Sequence, residues 1–403
     1  MHIKELLKAH GKPPREVYFD LENSGFVPKE VVDAMLPYFN TYGYGNPAIT
    51  HKPGWEAYEV IYSTKKLIAS SIGASSPDEI VLTHSGTEAN NLAILGYALA
   101  HKGAKFLTSL IEHGSVIFLM DYLDRKMGFD VKYVPVDEEG FIDPEIFEAY
   151  VSNETNFISI QLVNHEIGTI QNISELVEIA KDKNPNVVFH SDAADAYGRI
   201  KFDVRKLGVD MLTISSHKIH GPRGVGALYI REGIRIEPII KGQISSEKYW
   251  PGVENVPLIA GFRKAIELAF ENFDSSINYV RQLRDKLMNG IFERVPYVML
   301  NGPKGEKRVA DNLNVSFLYV EGEAITVEFS LRGIYVSSGS ACSSRYLQPS
   351  HVLIAIGRKH EEAHGSILFK VCRYHTEKDI DYALEQIPPA IERLRKISSW
   401  KPK

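Results

Sequence analysis

Cysteine is almost missing from this chain. Cys342 and Cys372 are the only two in 403 residues, and they form no CxxC pair. That excludes a disulfide scaffold and a cysteine-rich structural zinc site, and it suits a reducing cytoplasm. An excess of charge of one sign is missing as well. The formal net charge of -5 gives no reason to expect direct nucleic-acid binding or an anionic membrane surface as partner. Long apolar runs are also lacking: residues 1–16 are charged and carry no signal-peptide core, and no stretch is long enough to span a bilayer. There is no internal repeat and no low-complexity linker. What remains is ordinary globular composition, 44% hydrophobic and 24% charged, in a chain long enough for two or three domains at roughly 150 residues each.

From residue 79 to residue 215 short apolar runs alternate with stretches of helical spacing. Strands are expected at Glu79–Thr83, Lys105–Ser109, Val131–Pro135, Phe157–Val163, Val187–Ser191 and Val209–Ser215, with helices between them. Such alternation means βαβ units and a mostly parallel sheet covered on both faces, an α/β fold. Beyond residue 260 the pattern changes. One long helical stretch from about Leu258 to Phe292 leads into strands near Asn312–Tyr319, Ile334–Ser338 and Ser366–Arg373. A last helix starts at Thr376, with Asp379 in capping-box position. That reads as a smaller α+β unit.

The chemistry is organised around Ser215-Ser216-His217-Lys218-Ile219-His220-Gly221-Pro222, where an apolar strand runs into a Gly/Pro-rich turn. In open α/β sheets ligands bind at that end of the strands. A partly desolvated lysine gives up its proton more easily and can form a Schiff base, whereas a lone lysine in a turn is simply solvated. Partners decide between the two. Ser85-Gly86-Thr87-Glu88 joins a strand to a helix; its hydroxyls and free N–H groups suit either a phosphate cradle or a plain helix cap. Asp192 ends an apolar strand, where it can pair with a protonated ring nitrogen, as in pyridoxal phosphate (PLP) enzymes, or be an ordinary strand-end carboxylate. His190 with Asp192 as metal ligands is the weaker idea, because no third ligand clusters with them. His113 can stack on a flat cofactor or serve only the loop. Asn164 or His165 can donate to a ring hydroxyl or be ordinary loop residues. Cys342, among Ser337–Ser344, suits an accessible thiol on a small-residue loop, while Cys372 reads as a buried structural cysteine.

Taken together and in this order, these motifs resemble cysteine desulfurases of the NifS/IscS type, in the class V aminotransferase group of fold-type-I PLP enzymes. The resemblance runs from about Tyr18 to the last helix. It rests on Asn46-Pro47 with His51, Gly86 to Asn91, Glu112-His113, Asn164 to Gln171, His190 to Gly198, Ser215 to Lys218 with Gly221-Pro222, Ser338 to Ser344, and Gln348-Pro349-Ser350. It implies a segment 1–44 joining a small domain, a large PLP-binding domain over 45–260, and a small α+β domain over 261–403 that carries the cysteine loop. It further implies that Lys218 holds PLP and moves the substrate Cα proton, that His113 stacks on the ring, and that Asp192 pairs with the ring nitrogen. Gly86, Thr87, Ser215 and His217 would cradle the phosphate, with His165 and Asp195 near the ring oxygen. Cys342 would take sulfur from L-cysteine as a persulfide, leaving alanine, with an iron–sulfur ligand as its only metal role. Family members are homodimers that pass sulfur to iron–sulfur scaffolds or to tRNA thiolation.

Several positions depart from the group. His165 stands for an asparagine, and Asp195 for a glutamine, which implies a carboxylate that repels the ring oxygen or needs its own proton. Val253 stands for a threonine that reaches the partner's phosphate. Lys241-Gly242-Gln243-Ile244 stands for Gly-Gly-Gln-Glu, and in His84-Ser85-Gly86-Thr87 the cradle glycine is shifted by one. Leu368 stands for the arginine that clamps the substrate carboxylate, and strand alternation puts Lys370 on the same face as a partial substitute. The rival readings are an aminotransferase or selenocysteine lyase of the same group, or a non-catalytic sulfur-carrying paralogue.

Overall fold

The computed structural model describes residues 11–242, 249–338 and 349–400. Its strands are β1 (Val17–Tyr18), β2 (Ile80–Thr83), β3 (Lys105–Ser109), β4 (Asp130–Val134), β5 (Thr155–Ser159), β6 (Val188–Asp192), β7 (Met211–Ser215), β8 (Gly226–Ile230), β9 (Val298–Leu300), β10 (Asn312–Phe317), β11 (Ile334–Tyr335), β12 (Ser337–Ser338) and β13 (Ser366–Lys370). Seven of them form one sheet in the order β2-β8-β7-β6-β5-β3-β4. The pairs from β7 across to β4 are parallel, while β8 runs antiparallel to both of its neighbours. The alternation of the sequence produces that parallel part, because each returning strand needs a helical crossover. Strand β8 carries no such signal. It follows the Gly221–Gly224 turn directly and folds back on β7, so the reading by alternation passes over it.

Helices Lys52–Ile72, Gly86–Ala100, Gly114–Met127 and Ile173–Lys183 cover this sheet. Apolar side chains from both of its faces enter large cores, with Phe189, Ile158 and Leu212 in one and Phe106, Phe157 and Met211 in another. A further core lies on the second sheet, β12-β13-β10-β9, which is antiparallel throughout. Helices Phe273–Arg294 and Glu377–Ile397 pack there, and so do Val17 and Phe19 of the N-terminal segment. The single helix expected over Leu258–Phe292 is two helices, Val256–Phe270 and Phe273–Arg294. Asn272 adopts a left-handed conformation between them, φ 52°, which no continuous helix accommodates. Capping at Thr376 is as expected: its backbone N–H donates to Asp379 Oδ2 at 2.7 Å. No helix among the described residues is long and apolar enough to cross a membrane.

Candidate active site

The parallel strands end on one side of the large sheet, and a cavity of about 210 Å³ opens there. All nine candidate site residues within the described part of the chain line it: Gly86, Thr87, His113, His165, Asp192, Asp195, Ser215, His217 and Lys218. Local structure explains how each arrives. Ser85 caps helix Gly86–Ala100, its hydroxyl accepting from Glu88 N at 3.1 Å. Glu88 reaches back to the N–H of His84, one residue further out than an ordinary capping box. The caps therefore serve the helix start, and Gly86 and Thr87 still face the cavity. Glycine is required at Gly226 and leaves little room for anything larger at Gly86. A Cβ on Gly86 would sit 3.2 Å from Ser215 Cβ, and one on Gly226 would sit 2.9 Å from the Ser85 carbonyl carbon. The two backbones close on each other only because those atoms are absent. Ser215 and His217 complete the corner, with Ser215 Oγ 2.9 Å from His217 Nδ1.

On the opposite wall Asp192, at the end of β6, accepts from Asn90 Nδ2 at 2.7 Å and from Ala194 N at 2.9 Å. His113 is the N-cap of helix Gly114–Met127; its Nδ1 accepts from Ser115 N at 3.1 Å, which fixes the ring. His165 stands edge-on to it, with centroids 5.0 Å apart and planes at 83°. Burial, with His113 close by, drives His165 well below the ordinary imidazole range, and its Nδ1 has no hydrogen-bond partner. His217 is pushed down to about 4 by burial and by Lys218. Both rings are therefore neutral at pH 7. A cavity lined by a helix N-terminus, a carboxylate and a histidine with a buried orphan nitrogen fits a flat, polar, phosphorylated ring.

Lys218 follows β7 in a short 3-10 turn, Ser216–Ile219, and its side chain is 7% exposed. Its Nζ makes an ion pair with Glu22, and another with Asp195 Oδ2 at 3.0 Å. Burial alone would lower the lysine, but Asp195 and Glu22 outweigh it and the net shift is upward. Lys370 projects from β13 into the same place, as strand alternation from Leu368 requires. It is fully buried, 3.1 Å from Asp195 Oδ1 and 3.3 Å from Glu22 Oε2. Arg199 closes the group, bonding Asp195 Oδ1 at 2.7 Å and Asp311 Oδ2 at 2.8 Å, and its Nη2 donates to the carbonyl of Lys218 at 3.1 Å. Three cations thus face three carboxylates in one buried cluster.

This cluster bears on one of the two alternatives expected for Asp195, that it needs its own proton. Burial would raise its carboxyl, but Lys218, Lys370 and Arg199 together hold it well below the usual carboxylate range. It stays ionised and needs no proton of its own. The charge of Lys370 is likewise already engaged with carboxylates of the chain. Leu368 is buried on the strand two residues away, where β13 pairs with Ser337 and Asn314.

Glu22, Arg199 and Asp311 escape the sequence reading. None sits in a motif, and each reaches the cluster from a different part of the chain. Glu22 is carried there by β1, which pairs with β11, and by the Phe19 carbonyl, which accepts from Lys370 N at 2.9 Å. The signal available beforehand was only a carboxylate between strand Val17–Phe19 and the Asn23-Ser24-Gly25 turn. His190 is no ligand candidate in the fold. Its ring nitrogens lie 2.9 Å from Ser159 Oγ and 3.0 Å from Thr213 Oγ1, inside the sheet. Among the described residues no group of three His, Cys, Asp or Glu is placed to hold a metal. Val253 is exposed on the surface. Cys342, Gln243 and Ile244 lie outside the described residues, while Cys372 is buried, its thiol pushed up to about 12 by burial.

Residues 17–383 match the family model described as aminotransferase class-V. The chain is 46% identical over 383 residues to cysteine desulfurase IscS 1 of Archaeoglobus fulgidus, covering 94% of this chain and 98% of that protein. It is 45% identical to cysteine desulfurase IscS of Dictyoglomus turgidum, covering 96% of this chain and 97% of that one. Among solved structures it is similar to a NifS-like protein, with a TM-score of 0.87 and 35% identity over 94% of this chain and all of the other. It is also similar to SspA in complex with cysteine, with a TM-score of 0.76 and 31% identity over 89% of this chain and 99% of the other.

Proposed function

The chain belongs to the class-V aminotransferase family, among its cysteine desulfurases of the IscS and NifS type, and from that premise we propose how its own residues carry out the reaction. The enzyme removes sulfur from L-cysteine and leaves L-alanine. One observation carries the assignment of the site: Lys218, Asp192, His113 and the start of helix Gly86–Ala100 all face one cavity at the carboxyl ends of the parallel strands.

Pyridoxal phosphate fits that cavity and, when bound there, supplies an electron sink for bond breaking at the substrate Cα and Cβ. Gly86, Thr87, Ser215 and His217 hold its phosphate, using free helix-end N–H groups and hydroxyls. Asp192 pairs with the ring nitrogen, and Asn90 keeps that carboxylate in place. His113 stacks on the ring and is held by Ser115. His165, kept neutral by burial, would donate toward the ring oxygen, while Lys218, Lys370 and Arg199 offset the charge of Asp195. Lys218 would hold the cofactor and would move the Cα proton of the substrate. Cys342 takes the substrate sulfur and passes it on as a persulfide to an iron–sulfur scaffold or another acceptor.

The protein acts as a homodimer in the cytoplasm in this reading. Helix Lys52–Ile72 presents Trp55, Tyr58 and Tyr62 at i, i+3 and i+7, all exposed, and helix Gly114–Met127 presents Phe118 and Tyr122. Aromatic stripes of that kind are what an interface with a second copy covers. The test is product analysis with L-cysteine, scoring alanine and sulfide together, beside the visible spectrum. The protein turns yellow with PLP, borohydride fixes the cofactor to Lys218, and Lys218→Ala loses the visible band. Protein that stays colourless after PLP addition, or that yields no alanine, defeats the reading.

A further inference from the structure

Lys218 must lose a proton before its nitrogen can bond anything else, and the buried cluster determines where that proton goes. Two carboxylates touch its Nζ. Asp195 is bonded on the other side by Arg199 and Lys370. Among the described residues Glu22 has one further cation at ion-pair distance, Lys370, and its Oε2 has no hydrogen bond. A carboxylate ringed by three cations accepts a proton poorly, and one with fewer accepts it better. We propose that Glu22 is the acid–base partner of Lys218: it takes the ammonium proton when the lysine nitrogen bonds the cofactor and holds it while the nitrogen is engaged. This rests on the function proposed above.

The step balances within the cluster. An N–H bond of Lys218 breaks, its electron pair stays on nitrogen, and an O–H bond forms on Glu22 Oε1; the two remaining N–H protons would leave as water with the aldehyde oxygen of PLP. Before transfer, Lys218, Lys370 and Arg199 face Glu22, Asp195 and Asp311 with no net charge. Afterwards Lys370 and Arg199 face Asp195 and Asp311, and the cluster is neutral again. Loss of the proton to solvent would instead leave an uncompensated buried anion, which is costly. Lys370 gives the arrangement its stability. It bridges Glu22 and Asp195 through one oxygen of each and keeps Glu22 in reach after Lys218 has turned to the cofactor. The same contact explains a lysine in place of a shorter side chain at the end of β13, because only a long stem brings its Nζ to both Glu22 and Asp195 from that strand.

Difference infrared spectra between the PLP-loaded and cofactor-free protein test this, with the visible absorbance of the same sample recorded in parallel. The loaded protein should gain one protonated-carboxyl C=O band. That band should move to lower frequency in protein made with glutamate carrying heavy carbon in its side-chain carboxyl, and it should be lost in Glu22→Gln but kept in Asp195→Asn. Glu112 and Glu166 are raised to about 8 by burial, so Glu112→Gln and Glu166→Gln serve as controls that should keep the band. A sample that turns yellow without the band, or whose band ignores labelled glutamate, overturns the proposal and leaves the function standing. A sample that never colours removes the function as well. Where Glu22→Gln fails to fold, Glu22→Asp decides instead: its band should no longer respond to labelled glutamate, and a band that still does overturns the proposal.

Discussion

Lys370→Met should cost stability in a pH-dependent way whose size follows from the cluster. The substitution keeps an unbranched stem in a fully buried site and removes a cation that lies 3.1 Å from Asp195 and 3.3 Å from Glu22. Breaking a buried ion pair from one side costs about 3–5 kcal/mol, because the remaining charge is left uncompensated. A ceiling applies. At pH 7 a carboxylate that titrates near 4 in the unfolded chain can take up a proton for roughly 4 kcal/mol, at about 1.4 kcal/mol per pH unit. The expected deficit is therefore about 3–4 kcal/mol at pH 7. The sign follows from linkage. In the wild type, Asp195 is depressed, so its contribution is complete above the ordinary carboxylate range and is lost only well below pH 4. In the variant, one carboxylate holds its proton in the fold, so that stability is complete below about pH 4 and is lost as pH rises towards 7. Urea unfolding of the cofactor-free protein between pH 4.5 and 7.5, at about one-unit steps, measures it. The gap between the two proteins should widen by roughly 1.4 kcal/mol per unit. Adding Glu22→Gln to Lys370→Met should recover most of the loss, because pair and partner then leave together. A gap below about 1 kcal/mol at pH 7, or one that does not change with pH, refutes the account of the cluster.

Other outcomes are open to direct measurement. After treatment with L-cysteine, mass spectrometry should find the extra sulfur on Cys342 and none on Cys372, whose buried thiol is pushed up to about 12; Cys342→Ala should keep the visible spectrum and stop alanine release, and normal turnover by that variant refutes the assignment. Leu368→Arg should tighten apparent cysteine binding by about 1–3 kcal/mol, the value of a charged hydrogen bond; unchanged binding in a folded variant would put the substrate-carboxylate partner elsewhere. Glu166, which accepts from Ser350 Oγ at 2.5 Å, is raised to about 8 by burial. Its contribution is complete below the unfolded carboxylate value and is lost as pH rises towards 8. Glu166→Gln should therefore flatten the fall in thermal midpoint between pH 5 and 8, and an unaltered slope would remove Glu166 as its source.

By itself the sequence determined the parallel part of the large sheet and the residues at its strand ends. Alternating strands and helices dictate a parallel sheet, because parallel neighbours need crossovers. The strand ends then bring Gly86, Thr87, His113, Asp192, Ser215 and Lys218 to one rim, since they close or follow β2, β3, β6 and β7. Asn272 was beyond this reasoning, because nothing in helical spacing marks a left-handed residue between two helices. So was β8, which pairs by folding back and leaves no periodic trace. Only the tertiary structure decided the charge state of the site. Glu22, Asp195, Arg199, Asp311 and Lys370 come from the N-terminal segment, the turn after β6 and the second sheet, up to 348 positions apart in the case of Glu22 and Lys370. Whether Asp195 carries a proton depends on which cations the fold stacks against it, and electrostatic energy at 3 Å in a buried site is a property of distance and burial, to which sequence separation is blind.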